Sequence, residues 1–206
     1  MKHFIGVDIG GTKISVVRCA ADGTVLQATT SPAPAKAGGG AMLRAVERAV
    51  SQVGSAPFSA IGVGAAGVIH DGRVVAASES FVDWVGTAID LRLQEAFAVP
   101  VHVLNDVNAF LAGELAWGVG RGESDLFGLT LGTGVGGAVA LDGRVWVGAH
   151  GMAGEIGHTP GYSDLSCTCG QVGHLETRAS GRAIESAYAV RTGERCSSPQ
   201  IADRAR

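Results

Sequence analysis

Short apolar runs alternate along this chain with segments whose apolar positions recur every three or four residues. Residues 4–9 form a strand-like run ending at Gly10-Gly11-Thr12, residues 14–19 a second, and Asp22-Gly23 turns the chain into a third at 25–26. Residues 31–40, rich in Pro and Gly, read as a loop. A helix is expected over 41–53, with Met42, Leu43, Val46, Ala49, Val50 and Val53 on one stripe. A strand at 61–64, a short one at 74–76 and a helix at 91–97 follow. The strand at 101–104 carries Asn105-Asp106 at its end, and Asp106 or Asn108 is placed to cap a helix reaching about Trp117. Strands at 126–131, 137–141 and 144–147 come next, the last two joined by Asp142-Gly143. Residues 148–173 show little periodicity, a last helix is expected over 175–190, and residues 196–206 carry no core pattern. The order β-β-β-α-β, repeated in outline, defines an α/β protein. The break at Trp117-Gly-Val-Gly divides it into lobes of 1–117 and 118–206.

Composition narrows the function classes. With 16 Lys and Arg against 19 Asp and Glu, the net charge of −3 argues against binding driven by nucleic-acid phosphates. No apolar run approaches the ~18 residues of a membrane span. The first residues enter a strand with no signal-peptide core, so a cytoplasmic protein is expected. Glycine is the outlier at 32 of 206 residues, and its clustering points to tight turns and anion sites built from backbone.

Two glycine clusters are candidates for that role. Asp8-Ile-Gly-Gly-Thr-Lys13 lies between strand-like runs, so it is a hairpin and not a Walker loop, which must open a helix. Gly10 and Gly11 free backbone N–H groups for an anion, Thr12 adds a hydroxyl, and Asp8 could hold Mg²⁺ through water; an ordinary tight hairpin is the alternative. Gly132-Thr133-Gly134-Val-Gly-Gly137 spells a dinucleotide fingerprint, but a strand follows where that fold requires a helix. Two such hairpins match the paired phosphate clamps of a two-lobed ATPase. Asp106, at the end of a strand, is either a helix cap or a base for a hydroxyl attacking a γ-phosphate.

His158, Cys167, Cys169 and His174 supply two imidazoles and two thiols, a set suited to tetrahedral, structural Zn²⁺. The other reading is two unrelated buried thiols and two surface histidines. Cys19 and Cys196 stand alone as packing or surface thiols.

In this order, Asp8-Ile-Gly-Gly-Thr-Lys, Leu104-Asn-Asp-Val-Asn-Ala, Leu131-Gly-Thr-Gly-Val-Gly-Gly, Glu155-x-Gly-His158 and Cys167-x-Cys-Gly-x-x-Gly-His-x-Glu176 resemble the ROK family of sugar kinases and sugar-responsive repressors. The resemblance implies an actin-like, two-lobed ATPase fold with mixed sheets. It implies phosphorylation by ATP of the 6-hydroxyl of glucose, an N-acetylhexosamine or a similar sugar, with Mg²⁺ and a structural zinc ion. Asp106 matches the family's base. Asn105, Asp106, Glu155, His158 and Glu176 match its sugar ligands, with Gly67 as a backbone candidate. The residues matching the nucleotide grip are Asp8, Gly10, Gly11, Thr12, Lys13, Gly132, Thr133 and Gly134. His158 would serve zinc with one ring nitrogen and the sugar with the other. Family kinases are often homodimers.

Three departures stand out: His174 where the family usually has Cys, Gly64-Ala-Ala-Gly67 without the usual Pro, and Ser80-Phe-Val-Asp-Trp84 in place of an Asn-Leu-x-Gly-Trp-like stretch. Family members also continue well past this length, so the second lobe is expected to be incomplete, with apolar faces open near residues 126–139 and weak nucleotide binding. Two other functions remain in view. A sugar-responsive regulator would need a DNA-reading domain, and only seven residues precede Asp8. A non-catalytic, truncated remnant is the other.

Overall fold

The computed structural model describes residues 2–53 and 56–205; the terminal residues Met1 and Arg206 of the expected lobes fall outside that range. Its first unit is a five-stranded sheet in the order β3-β2-β1-β4-β7. These strands are β1 (His3–Ile9), β2 (Lys13–Ala20), β3 (Val25–Pro32), β4 (Ile61–Ala65) and β7 (Val101–Asn105). β1, β4 and β7 run parallel, while β2 and β3 complete an antiparallel meander at the edge. In register, Ile5 pairs with Ile61, Val7 with Val63 and Ile9 with Ala65, so all six side chains fall on one face and are buried.

Helix α1 (Gly39–Gln52) covers that face. Met42, Leu43, Val46, Ala49 and Val50 are buried in the same cluster as Ile5, Val7 and Ile9, along with Val53 just past the helix end. Helix α2 (Ile89–Phe97) inserts Ile89 and Leu93 beside it and stops at Ala98 in a left-handed turn before Pro100. Helix α3 (Asp106–Trp117) lies on the opposite face. A methyl group added to Gly64 would meet Ala109 at 3.1 Å and the Asp106 Cα at 3.5 Å. Only the missing side chain at Gly64 lets the helix sit that close.

α3 is shared with the second unit, an antiparallel sheet ordered β10-β9-β8: β8 (Leu126–Leu131), β9 (Val135–Leu141) and β10 (Arg144–Trp146). Leu111 forms a second small core with Ala138 and Ala140. The other face of β8 stays open: Phe127, Leu129 and Leu131 are 50, 50 and 73 % exposed. The loop after β10 returns to the first unit. Gly151, at φ +73°, lies so close to the small hairpin β5 (Val68–His70) and β6 (Arg73–Ala76) that an added methyl group would collide with the Ile69 carbonyl.

The structure revises several boundaries. β3 extends into the expected loop as far as Pro32, at a sheet edge where Pro forfeits no ladder bond. β9 begins at Val135, inside the glycine run, and its identity as a strand confirms that this run is not a dinucleotide-binding turn. The cap of α3 is neither Asp106 nor Asn108 but Asn105, whose Oδ1 accepts from Val107 N (2.9 Å) and Asn108 N (3.2 Å). The expected helix 175–190 is two helices, α4 (Glu176–Ala179) and α5 (Gly181–Thr192). Extended Ser180 breaks it and caps α5 by accepting from Ala183 N. The patternless tail folds into α6 (Ser198–Arg204), begun by a Ser197–Gln200 capping box. Among the described residues, no helix is long and apolar enough to cross a membrane.

Candidate active site

The ends of β1, β4 and β7 place Asp8, Gly64 and Leu104 in one row of the sheet, with Asn105 and Asp106 immediately beyond. Asn105 is 8 % exposed and almost fully committed: its Oδ1 holds the two α3 amides and its Nδ2 donates to the Gly67 carbonyl at 3.1 Å. One Nδ2 hydrogen is left for a ligand. Gly67, at φ +109°, takes a conformation that L side chains rarely adopt, and its carbonyl is held by Asn105 rather than free. The helix cap and the Gly67 turn are therefore one hydrogen-bonded unit.

Asp106, the first residue of α3, accepts from Val107 N at 3.0 Å. Burial raises its carboxyl above the ordinary aspartate range. The Val107 N–H opposes that shift, and the nearby negative charge of Asp8 adds to it. Burial raises Asp8 too, against the pull of Lys13. Glu155 is raised by burial first and then by the charges of Asp106 and Glu176. Residues from positions 8, 106, 155 and 176 thus crowd negative charge into one place.

Glycine contacts set the position of Glu155 and His158. The chain from Gly154 passes through a 3₁₀ turn, Ile156–His158, laid directly on β9. A methyl group on Gly157 would collide with the Val135 carbonyl, and one on Gly137 with the Gly154 carbonyl. Such close approach of backbone to backbone is open only to glycine. These glycines were not recognised in the sequence as positioning residues; their recurrence on both sides of the contact was the available signal.

The first hairpin closes by Gly10 N donating to Lys13 O at 3.0 Å, leaving Thr12 and Lys13 exposed. In the second, Gly132 N donates to Gly134 O at 3.0 Å, and exposed Thr133 lies between them. Gly181, opening α5, donates its N–H to Gly132 O at 2.8 Å. Gly134 lies against Glu176, whose Oε2 would be 2.8 Å from an added methyl group.

The Cys/His residues converge. One ligand atom each from His158, Cys167, Cys169 and His174 lies within 4.8 Å of all the others. His158 Nδ1 is 3.2 Å from His174 Nδ1 and 3.7 Å from Cys167 Sγ, and Cys169 Sγ is 3.3 Å from His174 Nδ1. The other His158 nitrogen, Nε2, points away to within 3.9 Å of Glu155 Oε2. Cys167, pushed up to about 11 by burial, donates to Glu176 Oε1 at 3.0 Å. Two thiols and two imidazoles converging this tightly fit a tetrahedral Zn²⁺ site. Glu176 links that cluster to the second glycine hairpin, since its other oxygen accepts from Val135 N at 3.4 Å.

A mixed sheet carrying one glycine hairpin and a carboxylate at a strand end, joined through a helix to a second sheet that carries another glycine hairpin, is the architecture of the actin-like ATPases. The ROK family model matches residues 4–206, and the chain belongs to that family. It is 35 % identical over 185 residues to a glucokinase of Thermotoga maritima, covering 87 % of this chain and 58 % of the relative. It is 31 % identical to an N-acetylmannosamine kinase of Escherichia fergusonii over 89 % of this chain and 63 % of that one. The structure of a Streptomyces griseus ROK glucokinase in complex with glucose and AMPPNP superposes with a TM-score of 0.82 at 34 % identity. That match covers 93 % of this chain and 62 % of the glucokinase. The chain therefore spans about three fifths of the length of these relatives.

Proposed function

We propose that this protein phosphorylates the 6-hydroxyl of a hexose, glucose or an N-acetylhexosamine, with ATP as donor. The observation that carries the reading is the gathering of Asp106, Glu155 and Glu176 beside Asp8, bordered by two glycine hairpins. Kinases and an AMPPNP complex among the relatives support it.

Asp106 is the base. Its raised proton affinity, set by burial, suits it to accept the hydroxyl proton as oxygen attacks the γ-phosphate. Asn105, Glu155, His158 and Glu176 orient the sugar, with Gly67 shaping the turn beneath it. Gly10, Gly11 and Thr12 with Lys13, and Gly132, Thr133 and Gly134, grip the phosphates. Asp8 would hold Mg²⁺ through water, offsetting charge on the transferring group. His158, Cys167, Cys169 and His174 would hold zinc; four protein donors leave no open position, so the ion would fix the loop and the His158 ring and take no part in the chemistry. The reading places residues 1–117 and 118–206 in two lobes of a cytoplasmic enzyme, with sugar and nucleotide as its ligands.

Hexose-dependent ADP release tests this, with wild type and Asp106→Asn compared at saturating ATP and sugar affinity measured by calorimetry. Asn keeps the shape but cannot take the proton. Sugar affinity should stay within about threefold while turnover drops ~10²–10⁴-fold. A loss below tenfold, or a wild-type chain that binds no hexose, would overturn the proposal.

A further inference from the structure

Residues 79–84, which include the stretch 80–84 where the chain departs from the family pattern, form a strap touching the segment 35–39, the first glycine hairpin and the turn at Ala66. Lys36 Nζ donates to Glu79 O at 2.8 Å, Val82 N to Ala35 O at 2.9 Å and Gly39 N to Asp83 O at 3.1 Å. Two aromatic residues reach further. The half-buried Phe81 ring lies over the open face of Gly11, where an added methyl group would touch it at 3.4 Å. Phe81 also stacks on Trp84, with ring centroids 5.9 Å apart and planes 19° from parallel. Trp84, 1 % exposed, donates its indole N–H to the Ala66 carbonyl at 3.0 Å. Ala66 N in turn donates to Ile9 O at 3.0 Å, one residue before the glycine hairpin, and the next carbonyl, Gly67 O, is the one held by Asn105.

We infer that Phe81 is a positioning residue: seated on Gly11 and stacked on Trp84, it ties the first glycine hairpin to the Ala66–Gly67 turn so that the two move as one body. A glycine hairpin tip has no side chains with which to anchor itself. An aromatic stack supplies a rigid contact at small cost in conformational entropy. With Gly67 fixed to the residue preceding Asp106, the linkage runs from one proposed phosphate loop to the proposed base. Its functional consequence, coupling of sugar occupancy to order in the phosphate hairpin, rests on the kinase reading; the mechanical linkage does not.

Amide hydrogen exchange on the free 206-residue chain tests the linkage without a ligand. Phe81→Ala should accelerate exchange about tenfold at both Gly10 and Ala66, leaving the core amides of Ile5, Val16 and Val63 unchanged. Trp84→Phe keeps a ring but removes the indole N–H, and should loosen the same two amides. Phe81→Leu, which restores an apolar contact on Gly11, should return Gly10 toward wild type. An effect confined to Gly10, or equal acceleration at the core amides, would overturn the inference. In a second arm, glucose should protect Gly10 as well as Val107 in wild type but only Val107 in Phe81→Ala; protection of Gly10 in both would overturn the coupling. If neither glucose nor an N-acetylhexosamine protects any segment of wild type, the hexose reading fails, while the free-chain exchange still decides the linkage.

Discussion

Replacing Asn105 separates two kinds of support that one side chain gives to the proposed catalytic residue beside it. Asn105→Ala removes the acceptor for Val107 N and Asn108 N, and it removes the donor to Gly67 O. Loss of an N-cap costs about 1 kcal/mol. Leaving the part-buried Gly67 carbonyl without its partner costs about 1 kcal/mol more. The sum, about 2 kcal/mol, corresponds to a melting point lower by roughly 4–8 °C in a chain of this size. Asn105→Ser is the informative partner, because serine caps helices well but cannot reach Gly67 as a donor. It should lose only the second contribution, about half the total. Urea denaturation of the three proteins, followed by far-ultraviolet circular dichroism, gives both values. Turnover should fall more steeply than stability, because a frayed first turn displaces Asp106. Equal losses for Ser and Ala would exclude the cap as a source of stability. A loss below about 0.5 kcal/mol for Ala would refute both contributions.

Freshly purified protein should carry about one zinc ion per chain. Cys169→Ser should abolish it and weaken hexose binding, whereas metal-free protein of full sugar affinity would remove zinc from the account. Asp8 and Asp106 are both raised by burial, so each contributes stability that is complete below the ordinary carboxylate range near pH 4 and is lost as pH rises through the raised value. The unfolding free energy of Asp106→Asn should therefore gain on wild type between about pH 4 and neutrality; urea melts in which the variant's value minus that of wild type stays flat or falls with pH would contradict the burial of this carboxylate. Gly157→Ala drives a methyl group into the Val135 carbonyl, so it should unseat Glu155 and His158 and cost about a hundredfold in turnover. Wild-type kinetics in that variant would mean the 3₁₀ turn is not held by the contact.

What the sequence determined by itself was whatever repeats at short range. The stripe from Met42 to Val53 specified a helix and its buried face, because a 3.6-residue period leaves few other ways to bury those side chains. The strand after Gly137 excluded a dinucleotide fold, and the donor types at positions 158, 167, 169 and 174 marked a candidate metal site before their convergence was known. Local signals failed where neighbours decide. Ser180 reads as part of one helix until its hydroxyl is seen capping the next, and Asn105 does not read as a cap because its strand and helix abut without a loop. Tertiary structure alone brought residues 8, 106, 155 and 176 together. It did so through close approaches at Gly64, Gly134, Gly137 and Gly157, to backbone at the last two and to the side chains of Ala109 and Glu176 at the first two, each the absence of a side chain where another part of the chain must pass. A glycine in a sequence records that something comes close but not what, because the partner is chosen by the packing of two sheets about one helix. For that reason the candidate chemistry was legible as residue types and spacings, while its assembly into one site was decided by the fold.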